Sequence, residues 1–229
     1  DILQKYSQYI SGRKPELLSP ETYSLLNYDE ADRVIKQYQQ LVVQAENIND
    51  ELPTEYKDAY FELVLFPVKA FVNLNELYVA VAKNRIYAKN NFSFANDYAD
   101  SAKMFFEKDS ILCYQYNHEL AKGKWNHMMD QTHIGYTYWQ QPPVNKMPYI
   151  KYVSKDSIKH VEFLKGVPIT VNKKGLKNKV HYELNGYVSI EAANYSKAVN
   201  KQIEWKVIPG IGKDGDGITT FSATSNKKI

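Results

Sequence analysis

Three long stretches in the first half of the chain repeat apolar residues at intervals of three and four positions. Two of them cover 27–50 and 54–88, and a third runs from the polar break at 89–91 to Gly123. This interval places apolar side chains along one face of an α-helix, and no such helix can bury that face alone. The three helices must therefore pack on one another, with the short helix at 2–11 or a missing neighbour as a fourth wall, which predicts an antiparallel helical bundle.

Local signals mark the ends and the middle of these helices. Asn27 is predicted to cap the first long helix, with Glu30 as the reciprocal partner of a capping box. Pro67 lies inside the second helix, where it removes a backbone hydrogen bond, so we expect a kink near 63–67. Gly123 is predicted to stop the third helix, because glycine suits the conformation that ends many helices.

The pattern changes after Pro143 to short apolar runs separated by clusters of Gly, Asn and Lys. Evenly spaced short strands are typical of an antiparallel β-sandwich. The predicted strands cover 161–164, 168–171, 180–184, 187–192, 203–208 and 217–221. Roughly 80 residues is few for a complete sandwich. The sequence therefore predicts an α+β chain, with a helical bundle domain at 1–143 and an incomplete β-sandwich region at 144–229.

Charge and composition exclude several kinds of partner. The net charge is +3 over 229 residues, which gives no reason to expect nucleic acid or an anionic membrane. No apolar run approaches the roughly 18 residues of a membrane span. Cys113 is the single cysteine, so no disulfide framework is predicted. The chain begins at Asp1 without a signal-peptide pattern, which indicates a mature, processed or shortened protein.

The stretch 123–143, GKWNHMMDQTHIGYTYWQQPP, concentrates aromatic and imidazole side chains between the two halves, and we call it the aromatic segment. Its rings suit stacking on pyranose faces, with imidazole and amide groups at sugar hydroxyls. The candidate substrate-binding residues are Trp125, His127, Gln131, His133, Tyr136, Tyr138 and Trp139. The alternative is a segment that seals the open end of the bundle, and the residues alone favour this alternative because large aromatic side chains are usually buried.

Metal and nucleophile chemistry find little support in the sequence. His127, Asp130 and His133 are spaced three apart, which on a helix would place them on one side. Gly123 and Gly135 limit any helix there to about two turns, and no further ligand is evident, so no metal or cofactor is predicted. Cys113 falls on an apolar helix face, which favours a structural thiol. No catalytic residue is predicted.

The aromatic segment closely resembles a segment of glycoside hydrolase family 115, the α-glucuronidases that remove (4-O-methyl)glucuronic acid from xylan. Other stretches also resemble this family: RKPELL at 13–18, DAYFELVLFP at 58–67, GYVSIEA at 186–192 and WKVIP at 205–209. Together these motifs span most of the chain.

This resemblance implies that the catalytic residues and this chain belong to different parts of one protein. In the family, the catalytic residues lie on a (β/α)-barrel that precedes the helical region, so none can be assigned here and this chain alone is expected to be inactive. The resemblance implies a helical part that buttresses the barrel and lines one side of the glycan cleft. Family C-terminal sandwiches resemble calcium-dependent carbohydrate-binding domains, but Ala193 stands where their pattern has a second acid, so no calcium is predicted.

The implied partners are glucuronoxylan or a related plant polysaccharide and the catalytic barrel of the same protein. The resemblance is also compatible with a homodimer. The implied location is extracytoplasmic, either periplasmic or secreted. The alternative function is a stand-alone carbohydrate-binding or scaffolding module without catalysis.

Overall fold

The computed structural model describes residues 1–27, 29–137, 141–162, 190, 192–199, 203–211 and 216–221. The chain divides into two compact units, Asp1–Pro168 and Ile169–Ile229. The fold class is α+β, as predicted. The assignment of 1–143 and 144–229 to separate domains stays a prediction.

The first unit is built from helices that follow the predicted order. They are α1 (Ile2–Gly12), α2 (Glu30–Glu51), α3 (Thr54–Tyr60), α4 (Phe66–Lys89) and α5 (Ala95–Tyr114). A π turn at Phe61–Leu65 joins α3 to α4, and a second π turn at Gln115–Glu119 extends α5. Helix α4 packs against both α2 and α5, so it lies at the centre of the unit.

Helix α4 is central because it is apolar nearly all round. Val68, Leu77 and Val81 on it are fully buried, and each such side chain contributes about 1.5–3 kcal/mol to folding. The continuous helix Thr54–Lys89 is long and apolar enough to cross a membrane, but 78% of its most apolar 18-residue stretch is buried inside the protein. An all-round apolar helix with such burial is the core helix of its unit.

The predicted kink in this helix coincides with a π turn. The N–H of Phe66 donates to the carbonyl of Phe61, five residues earlier. Pro67 follows immediately and has no N–H to donate. The wider turn accommodates the proline ring and lets the helix continue past it.

The predicted capping box at the start of α2 is wrong. The N-cap position is Asp29, with a left-handed φ of 50° and no side-chain capping bond. The carboxylate of Glu30 instead accepts the N–H of Ser24 at 2.8 Å, and the Ser24 hydroxyl accepts the N–H of Asn27 at 3.0 Å. The carboxylate of Glu30 therefore binds the loop that precedes the helix and not the first helical turn. The left-handed conformation of Asp29 turns the chain so that this loop lies beside Glu30.

Two asparagines fix the chain after Pro143 onto the helices. Asn84 on α4 donates to the Lys151 carbonyl and accepts the Lys151 N–H, both at 2.8 Å. Asn96 on α5 donates to the Val153 carbonyl at 3.0 Å and accepts the Val153 N–H at 2.8 Å. Each amide side chain pairs with both backbone groups of one residue, as a neighbouring strand would, so this extended segment needs no sheet.

In the second unit, β1 (Glu204–Ile208) and β2 (Gly217–Phe221) form an antiparallel pair. The register places Glu204 opposite Phe221 and Ile208 opposite Gly217. These strands confirm the last two predicted strands. The predicted strands at 168–171 and 180–184 lie outside the described residues, as do half of 161–164 and most of 187–192.

Candidate functional site

The chain reverses direction where the third predicted helix was expected to stop. Ala121, Lys122 and Gly123 all have left-handed φ angles, of 47°, 57° and 78°. The helix therefore ends at Glu119, with Leu120 as its C-cap (φ −55°, ψ 126°), and the predicted stop at Gly123 is wrong because the chain leaves the helical conformation before it. The reversal returns the aromatic segment towards the helix that it has just left.

Asn117 in the second π turn holds the returning chain. Its side-chain amide donates to Oδ1 of Asp130 at 2.9 Å, and its side-chain oxygen accepts the N–H of Met129 at 2.9 Å. Asn117 is buried, and it is the π turn that places this amide beside the segment.

The middle of the segment is anchored through Ile134, which is fully buried. The side-chain oxygen of Asn145 accepts the N–H groups of His133 and Ile134 at 2.8 and 3.0 Å. Gly135 has φ +95°, and a Cβ there would lie 2.9 Å from Cβ of Lys146. Only glycine fits this close approach without strain. The bonds to Asn145 and the close packing of Gly135 on Lys146 together fix the position of His133.

Trp125 and His127 are two of the predicted binding residues, and their contacts differ from those of His133. Trp125 is partly buried against an apolar cluster that includes Phe66 and Tyr116. His127 is exposed, and its Nδ1 lies 2.6 Å from Oδ2 of Asp130, which is also exposed. The spacing His127, Asp130, His133 therefore does not produce one convergent site. Tyr138 and Trp139 lie outside the described residues.

His133 contacts an acid that sequence reasoning did not select. Its Nε2 lies 2.8 Å from Oδ1 of Asp109, and its Nδ1 lies 2.9 Å from the carbonyl oxygen of Gln131. Asp109 belongs to α5 and is only 2% exposed. A signal was present, because Asp109 lies in phase with the apolar face that contains Leu112 and Cys113, and an acid there must be paired.

The protonation of this pair follows from its contacts. Burial lowers the pKa of His133, but the hydrogen bond and charge of Asp109, aided by the Gln131 carbonyl, outweigh burial and leave the pKa raised. The raised pKa and the two oxygen atoms beside the ring favour the imidazolium form, in which the contact with Asp109 is an ion pair.

Cys113 lies one helical turn after Asp109. Burial, together with the negative charges of Asp109 and Asp130, raises the pKa of the Cys113 thiol to about 12. The thiol is therefore protonated at neutral pH.

These groups line a cavity of 890 Å³. Its wall includes Gln131, His133 and Tyr136 from the predicted set, but neither Trp125 nor His127. The remaining described lining residues are Arg13, Lys14, Pro15, Glu16, Leu17, Leu18, Ser19, Phe66, Ala70, Asp109, Cys113, Met128, Met129 and Thr137.

The cavity combines apolar walls with a few polar groups. Phe66, Met128 and Met129 supply apolar surface. Arg13 and Lys14 supply two exposed positive charges, and Nε of Arg13 donates to the Leu17 carbonyl at 3.0 Å. Such a surface suits a small polar molecule that has apolar faces and an anionic group.

Comparison with known proteins identifies one segment of the chain. No curated protein is significantly similar to this chain. One family model matches a segment of it, and the motifs at 186–192 and 205–209 lie within that segment. The match indicates an accessory part of a glycoside hydrolase. Residues 180–229 match the family model of the glycosyl hydrolase family 115 C-terminal domain, which confirms the predicted resemblance to the C-terminal part of a family 115 protein.

Proposed function

We propose that this chain is the accessory, non-catalytic portion of a xylan-directed α-(4-O-methyl)glucuronidase. Its helical part buttresses the catalytic barrel and lines one side of the glycan cleft. The observation that carries this proposal is the 890 Å³ cavity, because Gln131, His133 and Tyr136 meet the connector after α1 there. The match of 180–229 to the family 115 C-terminal domain supports the same conclusion independently.

The cavity chemistry supports an acidic sugar as the ligand. Arg13 and Lys14 are cations that suit a uronate carboxylate. Gln131 and Tyr136 offer hydrogen-bonding groups for hydroxyls, and Met128 with Met129 offers apolar surface for a sugar face. A neutral xylo-oligosaccharide lacks the carboxylate and should bind more weakly.

The proposal extends to the architecture and the surroundings of the chain. The helices of the first unit form the predicted antiparallel bundle, and β1 with β2 is one pair of strands in a β-sandwich. The protein acts outside the cytoplasm, and a homodimer is compatible with this role. Barrel-coding sequence upstream of Asp1 would support the proposal over a stand-alone carbohydrate-binding module.

The proposal is tested with the purified chain and two oligosaccharides, one carrying 4-O-methylglucuronic acid and one without it. We expect no release of the acid, and calorimetric binding of the decorated sugar alone. Tyr136→Ala should weaken this binding about tenfold or more, the cost of about 1.4 kcal/mol.

Tyr149→Ala is the matched control, because Tyr149 is 70% exposed and is not among the cavity residues. It should bind as the parent does. Release of glucuronic acid by this chain would overturn the non-catalytic assignment. Failure of the decorated sugar to bind, or equal binding by both oligosaccharides, would overturn the cleft-lining role.

A further inference from the structure

Three groups that can bind a metal ion meet on the wall of the cavity. One donor atom from each of Asp109, Cys113 and His133 lies within 4.8 Å of the other two. Asp109 and Cys113 are four residues apart on α5 and share one helix face. His133 comes from the aromatic segment after the chain reversal, so this set is not visible in the sequence spacing.

The second oxygen of Asp109 provides an independent observation. Within the described part of the chain, Oδ2 of Asp109 is buried and has no hydrogen-bond partner. The residue is 2% exposed and lines the cavity. A buried carboxylate oxygen without a partner is costly, and a cation bound between the three donors would neutralise this charge.

The imidazole is also oriented as a metal ligand. The Gln131 carbonyl can only accept, so Nδ1 of His133, at 2.9 Å, must carry a proton. The remaining nitrogen, Nε2, faces Asp109 and supplies a lone pair to the ion once its proton is displaced. A backbone carbonyl on the far nitrogen is the usual support of a metal-binding histidine.

We infer that Asp109, Cys113 and His133 form a zinc site whose fourth position opens into the cavity. One thiolate, one imidazole and one carboxylate are ligands that Zn²⁺ accepts together, whereas Ca²⁺ and Mg²⁺ require oxygen donors. This assignment departs from the sequence prediction of no metal, which considered His133 together with His127 and Asp130 rather than with Asp109 and Cys113.

The geometry requires small adjustments. Tetrahedral Zn²⁺ with its usual bond lengths separates neighbouring donor atoms by about 3.3–3.5 Å. The contact between Nε2 of His133 and Oδ1 of Asp109, now 2.8 Å, must lengthen by about half an ångström. Donors that are up to 4.8 Å apart must approach by about 1.3 Å, which side-chain rotation can supply.

Charge balances when the ion binds. Without metal, the site holds one carboxylate, one imidazolium and one neutral thiol, so its net charge is zero. Zn²⁺ displaces the proton from Nε2 and the proton from Sγ, and both protons go to solvent. The carboxylate, thiolate and divalent ion again sum to zero. The open position would hold water or an anionic ligand group.

The test uses the full chain, stripped of metal by a chelator, and titrates it with Zn²⁺ alone. Calorimetry should give one ion per chain. Co²⁺ serves as a coloured probe, because a cobalt–thiolate bond absorbs in the near ultraviolet and Zn²⁺ should abolish that band. This experiment needs no glycan, so its result is independent of the proposed function.

Cys113→Ser should remove the cobalt–thiolate band and weaken Zn²⁺ binding about 100-fold or more. Asp109→Asn should weaken binding as strongly, and circular dichroism checks the fold of both variants. If Asp109→Asn does not fold, Cys113→Ser alone decides, since it changes a single atom. His118→Gln is the control, because His118 is exposed and is not a cavity residue, and it should bind as the parent does. Absence of binding, or equal Zn²⁺ affinity in Cys113→Ser, would overturn the site.

Discussion

His133 and Asp109 are 24 residues apart in the chain, yet Nε2 of the first lies 2.8 Å from Oδ1 of the second. The contact joins the returning segment to α5 and places an ion pair in the wall of the cavity. The side chain of Asp109 is 3% exposed and that of His133 is 31% exposed. Little solvent therefore screens the pair.

Removal of the imidazole should be costly. His133→Leu leaves the buried carboxylate of Asp109 without its cation, and breaking a buried ion pair in this way costs about 3 kcal/mol. The free energy of unfolding is measured by urea denaturation at pH 7, with a chelator present so that no metal contributes. The expected result is a large decrease in this free energy with an unchanged m-value.

The same segment offers a matched control for this prediction. His127 pairs with Asp130, but their side chains are 77% and 54% exposed. Exposed ion pairs contribute about 0–1 kcal/mol, so His127→Asn, which also suits the left-handed φ of 69° at this position, should change stability little. Equal losses in the two variants would contradict the assigned difference in burial.

Much of the helical part could be predicted because periodicity is a local property. The predicted helix at 54–88 corresponds to the continuous helix Thr54–Lys89, and that at 27–50 corresponds to α2, Glu30–Glu51. Strands β1 and β2 were also located correctly. In each of these, the apolar pattern agrees with the packing that the chain adopts.

The site could be predicted only in part, because its contacts depend on the chain reversal at 121–123. Two consecutive non-glycine residues, Ala121 and Lys122, adopt left-handed φ angles there, and their residue types give no warning of it. The pairing of His133 with Asp109 depends on this reversal. The capping error at Glu30 has a related cause, since the left-handed Asp29 redirects the loop.

Trp125 should behave as a packing residue. It contacts the apolar cluster of Phe66, Leu112, Tyr116 and Leu120, and it is partly buried. Trp125→Ala should therefore lower stability by about 2 kcal/mol, below the range for a fully buried tryptophan. The variant that remains folded should keep the parent affinity for the decorated oligosaccharide, because Trp125 is not among the described cavity residues.

Thermal melting and calorimetry separate the two roles of this ring. Val144→Ala is a suitable reference, because Val144 is 66% exposed and is not among the described cavity residues, so its truncation should cost little stability and leave affinity unchanged. Intact melting with lost affinity in Trp125→Ala would show that the ring faces the ligand instead.

The left-handed backbone of the chain reversal leads to opposite expected stability changes for substitutions at two adjacent residues. Gly123 has φ +78°, and a Cβ there would lie 3.2 Å from the His118 carbonyl oxygen, so Gly123→Ala should cost about 1–2 kcal/mol. Lys122 pays a left-handed penalty at φ 57°, so Lys122→Gly should be neutral or stabilising by up to about 1 kcal/mol. Urea denaturation measures both. Destabilisation by Lys122→Gly as large as that by Gly123→Ala would contradict the assigned backbone conformation.

Alkaline pH should destabilise the fold through buried tyrosines. Burial raises the pKa of Tyr78 above its usual 10.0, although the N–H of Gly135, which donates to the phenol oxygen at 3.3 Å, opposes this. Burial also raises the pKa of Tyr6, Tyr60 and Tyr116. The folded state holds these protons more tightly than the unfolded state does. Their contribution is therefore complete below about pH 10 and is lost as pH rises through the folded pKa values.

Tyr78→Phe tests one member of this group. At pH 7, loss of the hydrogen bond to Gly135 should cost about 1 kcal/mol. Above pH 10, the free energy of unfolding should fall less steeply with pH than in the parent, because one group with a raised pKa has been removed. Urea denaturation at intervals between pH 7 and about pH 11 measures both effects. An identical slope in the two proteins would mean that Tyr78 titrates alike in the folded and unfolded states, and that its burial does not control the alkaline transition.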